Sequence, residues 1–217
     1  MRKYFRMKTV NKNQHTILYV VRHGETDWNA KGLIQGHTDV PLNEEGKKQA
    51  RDLARELKEI GFRAIFASDL KRAQETAVII ARLHKKSVIT THLLRERTFG
   101  PFEGRSKEEI FQVEELLNDP QKRKKYGEEH DFYPENDQAI TDRFFEFSSD
   151  VHKTHRGKTI LAVTHGGVIR GLLKHLGTKS KTGYYYAIRN TSYLKLLFNG
   201  SKFVLEEMKG IETNASY

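Results

Sequence analysis

Two short apolar runs, residues 17–21 and Thr159–Thr164, are rich in β-branched residues, and each is followed at once by a histidine-glycine step, directly or after one arginine. Runs of this length suit strands buried on both faces, as in parallel sheets covered by helices. The abrupt stop delivers His23 and His165 at strand carboxyl ends, and the glycines let the backbone turn while keeping each ring accessible.

The rest of the chain keeps the same rhythm. Asn43 is a candidate helix N-cap with Glu44 and Glu45 in the first turn, and Gly61 is a candidate stop. Between them Ala50, Leu53, Ala54, Leu57 and Ile60 form one apolar stripe. Residues 64–67 read as a second strand, and Ser68 or Asp69 as the cap of a helix with Ala73, Ala77 and Ile80 on its inner face. Val88–Thr91 is a further strand candidate, and residues 168–176 are helical in pattern with Gly177 as the stop. Residues 193–198 and 202–205 flank Asn199-Gly200, a tight-hairpin signal. Strands alternating with helices predict an α/β three-layer sandwich, with a mostly parallel central sheet and helices on both faces. Ligands of such sheets collect beyond the carboxyl ends of the strands.

Residues 99–138 interrupt the pattern with Pro101, Pro120, Pro134 and the run Lys122-Arg123-Lys124-Lys125. They are read as a cap inserted beside the site, within one domain spanning 16–211. A basic N-terminal tail, 1–15, and a C-terminal tail, 212–217, flank it.

At 217 residues the chain suffices for one sizeable α/β domain. It has no cysteine, which excludes disulfides and thiolate chemistry and is compatible with a reducing, cytoplasmic location. A net charge of +10 favours anionic partners such as phosphorylated metabolites, nucleic acid or anionic lipid. No apolar run approaches the ~20 residues that a spanning helix needs, so no membrane partner is expected. Residues 1–16 contain no acidic group and lack the apolar centre of a secretory signal. A basic tail before the first strand is the simpler reading of them; an acid-poor targeting presequence is the other.

Four segments carry the chemistry. In Arg22-His23-Gly24-Glu25-Thr26 a neutral imidazole can attack phosphorus if its other nitrogen is held by an acceptor. Arg22 beside it can hold two phosphate oxygens through its planar fork. Arg72 falls in the first turn of a helix that follows a strand, where the dipole and free amides already favour an anion. One nucleophile needs one imidazole, so His165 is read as a donor to the phosphoryl oxygens. Glu96 in Leu94-Arg95-Glu96-Arg97 offers a carboxyl to protonate a departing alkoxide and then deprotonate water. Taken alone, Glu96 would be read first as an ion-pair partner of Arg95 or Arg97.

Together these segments resemble the histidine phosphatase superfamily, also called phosphoglycerate-mutase-like. The likeness comprises Arg22-His23-Gly24-Glu25-Thr26 with Trp28-Asn29, then Gln35-Gly36, Arg72 in Ser-Asp-Leu-Lys-Arg-Ala-Gln-Glu-Thr, Glu96 in Leu-Arg-Glu-Arg, and His165 in Val-Thr-His-Gly-Gly. It runs in the family's order from about residue 16 to 210. The resemblance implies that His23 becomes phosphorylated, that Arg22, Arg72 and His165 bind the transferring group, and that Glu96 is the acid and base. It further implies substrate contacts from Asn29, Gln35, Gly36 and Gly166, and neither cofactor nor metal. His152 and His155, three apart, are read as a solvated helix face. The segment from Leu94 to Gly104 looks like the phosphatase branches, which often carry Gly-Glu-Ser where this chain has Pro134-Glu135-Asn136. The expected activity is therefore metal-independent hydrolysis of a small phosphorylated metabolite through a phosphohistidine. A phosphoglycerate mutase is the alternative within enzymes. A non-catalytic anion- or RNA-binding protein is the alternative outside them, although no recognised nucleic-acid module is present and nucleic acid is not the expected partner.

Overall fold

The computed structural model describes residues 14–106, 119–130, 132–133, 135–178 and 186–212. Most of both tails, Pro134 and residues 107–118 of the interrupting segment lie outside the described residues. Six strands, β1 (Thr16–Arg22), β2 (Phe62–Ser68), β3 (Val88–Thr91), β4 (Thr159–Thr164), β5 (Ala187–Phe198) and β6 (Phe203–Glu212), form one sheet in the order β3-β2-β4-β1-β5-β6. The four strands from β3 to β1 are parallel, and β5 and β6 add an antiparallel hairpin at one side.

Alternation along the central strands feeds two cores. Leu18 and Val20 of β1, with Ile160 and Ala162 of β4, face α5 (Asp137–His155) and α6 (Gly166–His175). Tyr19, Val21, Leu161 and Val163 face the opposite way, onto α2 (Glu44–Glu56) and α3 (Lys71–His84). Helices thus cover both faces, giving the expected three layers. Burying each aliphatic side chain contributes about 1.5–3 kcal/mol. Phe144 of α5 is fully buried among these groups, and its truncation to alanine would cost about 3–5 kcal/mol. Two further helices are α1 (Asp27–Ala30) and α4 (Pro120–His130).

Several local expectations need correction. Helix α2 is capped by Asn43 but stops at Glu56, so Gly61 belongs to the turn before β2 and is not its terminator. Neither Ser68 nor Asp69 caps α3; Leu70 holds the N-cap position without a side-chain bond. The free amide of Lys71 instead donates to Asp39 Oδ1 at 2.6 Å, from the loop before α2, and Asp69 is committed elsewhere. His152 is not merely solvated: its Nδ1 lies 2.9 Å from Thr16 Oγ1, tying α5 to β1. The hairpin falls where expected, with Phe198 paired to Phe203 and Asn199 Oδ1 accepting from the amides of Ser201 and Lys202. Among the described residues, no helix is long and apolar enough to cross a membrane.

Candidate active site

The parallel register of β1 and β4 ends with Arg22 opposite Thr164, so His23 and His165 leave the sheet side by side. Their ring centroids are 5.1 Å apart. His23 is almost fully buried, and its Nδ1 lies 2.6 Å from the carbonyl oxygen of Gly24. A carbonyl can only accept, so Nδ1 carries the proton and Nε2 keeps the lone pair. Burial first, then the guanidinium groups of Arg72 and Arg22, hold the His23 pKa well below 6.5, which leaves the ring neutral at pH 7.

Arg72, in the first turn of α3, is completely buried. Its Nη2 donates to Gly36 O at 2.6 Å, its Nη1 to Thr38 O at 2.8 Å, and its Nε to His165 Nδ1 at 3.2 Å. Burial lowers its pKa to about 10, so it stays charged at neutral pH. Because a guanidinium only donates, His165 Nδ1 must accept, and the His165 proton sits on Nε2. That Nε2 is buried without a protein partner. Burial and the neighbouring charge of Arg72 keep His165 neutral too, its pKa well below 6.5. Two adjacent neutral imidazoles therefore present opposite faces, a lone pair on His23 and an N–H on His165.

Glu96 does not pair with either flanking arginine. Arg95 grips Asp69 through two bonds of 2.7 Å, and Arg97 binds Asp137, which Lys174 also holds at 2.7 Å. The Glu96 carboxylate accepts instead from the amide of Arg97 at 2.8 Å and from that of Gly167, in the first turn of α6, at 3.0 Å. A Cβ on Gly167 would overlap Glu96 Oε1, so glycine is what lets the carboxylate approach. The Glu96 carbonyl is held by His37 Nε2 at 2.8 Å and Arg143 Nη2 at 3.3 Å. These two side chains also border a cleft of about 310 Å³ that continues to Thr98 and Glu135. Glu135 clamps Arg143 at 2.5 and 2.9 Å, and Asn136 caps α5.

The remaining sequence candidates divide into lining and support. Arg22 donates through Nη1 to the carbonyl of Ile188, and its side chain passes alongside Gly166 at the start of α6. Asn29 Oδ1 accepts from Thr26 N at 3.3 Å and Asn190 Nδ2 at 3.2 Å, which leaves its Nδ2 donors for a ligand. Gln35 Oε1 accepts from Thr26 Oγ1 at 3.0 Å. Gly36 supplies the carbonyl that anchors Arg72; its φ of +51° and the overlap that a Cβ would make with Glu103 both require glycine.

Two supporting residues escaped sequence reasoning. Glu103 accepts from the amides of His37, Thr38 and Phe99 at 2.9, 2.8 and 3.1 Å and from Thr38 Oγ1 at 2.6 Å. Burial alone would raise its carboxyl, but these bonds outweigh burial and hold it below the usual value. His37 and Thr38 lie over sixty residues upstream, so no local pattern marks it. Asn190 could be singled out only once the sheet order is known: β5 runs antiparallel to β1, so the polar residues that open β5 stand at the edge where β1 ends.

Among the described residues there is no cluster of three or more His, Asp or Glu side chains arranged to hold a metal ion. A family model described as "Histidine phosphatase superfamily (branch 1)" matches residues 18–210. The chain is 36% identical over 197 residues to phosphoglycerate mutase-like protein 4 of Arabidopsis thaliana, covering 87% of this chain and 83% of that protein. It is 34% identical over 184 residues to a metal-independent phosphoserine phosphatase of the same plant, covering 79% and 73%. A solved phosphoserine phosphatase from Entamoeba histolytica, crystallised with phosphoserine, superposes with a TM-score of 0.72 at 29% identity, covering 89% of this chain and 96% of that one.

Proposed function

The chain belongs to the histidine phosphatase superfamily, and from that premise we propose that it hydrolyses small phosphomonoesters, without a metal, through a phosphohistidine on His23. The observation that carries this reading is the opposed tautomers of His23 and His165. The lone pair of His23 Nε2 attacks phosphorus as the ester P–O bond breaks, and Glu96 gives its proton to the departing alkoxide. Then Glu96 takes a proton from water, whose oxygen attacks phosphorus, and the P–N bond breaks to release phosphate and neutral His23. Arg22, Arg72 and His165 Nε2 donate to the phosphoryl oxygens, a fixed set of cations and dipoles that does the charge neutralisation a metal does elsewhere.

A mutase passes the phosphoryl group to a second substrate hydroxyl and needs a cationic grip on the glycerate carboxylate. Near Glu96 the buried arginine Arg97 is committed to Asp137, and Arg143 to Glu135, which favours hydrolysis. The likeness to phosphoserine phosphatases makes phosphoserine the first substrate to try. Phosphate release from phosphoserine and other small phosphomonoesters should exceed interconversion of 2- and 3-phosphoglycerate, primed with 2,3-bisphosphoglycerate, in the same preparation. The reverse ratio would establish a mutase, and neither activity would favour a binding protein.

A further inference from the structure

We propose that Asn190 is a positioning residue of this site, acting through Asn29 and through the backbone of His23. The inference rests on reading His23 as the nucleophile and Asn29 as a ligand of the phosphoryl group.

The two hydrogens of Asn190 Nδ2 go to two acceptors that belong to the site. One is the carbonyl oxygen of His23 at 3.1 Å, and the other is Asn29 Oδ1 at 3.2 Å. The second bond fixes which way the Asn29 amide faces: with Oδ1 committed to Asn190 and Thr26, its Nδ2 donors are left for the phosphoryl group. The first bond, together with the amide of Thr191 at 3.3 Å, fills both lone pairs of the His23 carbonyl and so fixes the peptide plane that carries the nucleophile.

The backbone is distorted to achieve this. Between Ile188 and Tyr193 the β5–β6 ladder loses register, and Thr191, a β-branched residue, sits at a φ of +58°. A β-branched residue in the left-handed region is strained and persists only where surrounding structure over-determines it. The bulge re-aims Asn190 out of the sheet and over the end of β1, while Ile188, just before it, takes the Arg22 guanidinium on its carbonyl. One irregular stretch of β5 thus holds Arg22, His23 and Asn29.

The test is a double-mutant cycle on steady-state kinetics. Asn190→Ala should lower kcat about tenfold with KM changed less than about twofold, since the loss falls on an arrangement needed for the transition state. Asn29→Ala should do likewise, and because one of the two routes is already lost there, adding Asn190→Ala should slow it by less than about fivefold more. Losses that multiply, a wild-type kcat in Asn190→Ala, or a loss confined to KM would overturn the proposal. Asn190→Asp serves if the alanine variant fails to fold. Its carboxylate faces two acceptors, and protonation restores one donor. Its rate relative to wild type should therefore climb as pH falls from about 7 to 5, and a ratio independent of pH would overturn the proposal equally. His23→Ala run alongside separates the two levels. Activity in that variant defeats the nucleophile assignment itself, whereas an inactive His23→Ala beside an unaffected Asn190→Ala defeats only the role of Asn190.

Discussion

Arg72 Nε lies 3.2 Å from His165 Nδ1, and this one bond decides that His165 offers a hydrogen, not a lone pair, to whatever lies between the two histidines. One hydrogen on each Nη atom of the same guanidinium is spent on Gly36 O or Thr38 O, so its orientation is fixed by the loop after α1 while two N–H groups remain. Lysine cannot reproduce that arrangement: its ammonium is a point charge on a flexible stem. Arg72→Lys should therefore cost at least about 10²-fold in kcat, comparable to losing a preorganised donor. It should also release the His165 tautomer, which nitrogen-15 NMR of the imidazole reads directly. Normal kcat in the Arg72→Lys variant, with an unchanged His165 spectrum, would contradict this account.

Acid stability follows from the same two rings. His23 and His165 both have folded-state pKa values well below 6.5, while in the unfolded chain each titrates near ~6.5. Below that point the unfolded chain binds protons that the folded protein refuses, so stability is full above about pH 6.5 and falls as pH drops toward the folded values. Each ring contributes a slope of up to about 1.4 kcal/mol per pH unit. Urea unfolding between pH 7.5 and 5 should show His165→Gln losing about one proton's worth of that slope. An identical slope in wild type and variant would mean that His165 is not kept neutral by the fold.

The close approach of Gly167 to Glu96 gives a way to move the acid without removing it. In Gly167→Ala the new methyl group overlaps Oε1, and the flexible carboxylate must swing away. Stability should change little, since a side-chain end gives way more readily than backbone. Single-turnover phosphorylation by alkyl phosphates should slow much more than by p-nitrophenyl phosphate, whose leaving group needs little protonation. Glu96→Gln should show the same selectivity more strongly. Equal slowing with both substrates would make Glu96 a structural residue.

Divalent metal should be dispensable. In the proposed mechanism Arg22, Arg72 and His165 donate to the phosphoryl oxygens, so turnover should survive excess EDTA. An EDTA-sensitive rate restored by zinc, magnesium or manganese would show that these donors are not sufficient.

The sheet and the pairing of His23 with His165 were legible in the sequence because short-range signals report them. A β-branched run that stops at histidine and glycine states both the strand and the edge at which its ring emerges, as β1 and β4 bear out. Arg72 was legible for a related reason, since an arginine in a first helical turn is out of place unless an anion or carbonyl claims it. What was hidden depends on partners far along the chain. Asp39 replaces Ser68 or Asp69 at the start of α3, and Glu103 braces the His37–Thr38 turn. The neighbours of Glu96 told nothing of its environment, because Arg95 and Arg97 are drawn to Asp69 and Asp137 by the tertiary fold. Asn190 depends on an antiparallel strand returning to the edge where β1 ends, a relation that exists only once the sheet order is known.

The central claim is that His23 Nε2 carries the phosphoryl group during turnover. Rapid quenching of the enzyme with a labelled phosphomonoester should trap a phosphoenzyme that is stable in base and labile in acid, and peptide mapping should place the label on His23. His23→Ala should trap none and lose at least about 10³-fold in kcat, as when other covalent nucleophiles are removed. A label on any other residue, or a His23→Ala enzyme that turns over at an ordinary rate, would contradict the account.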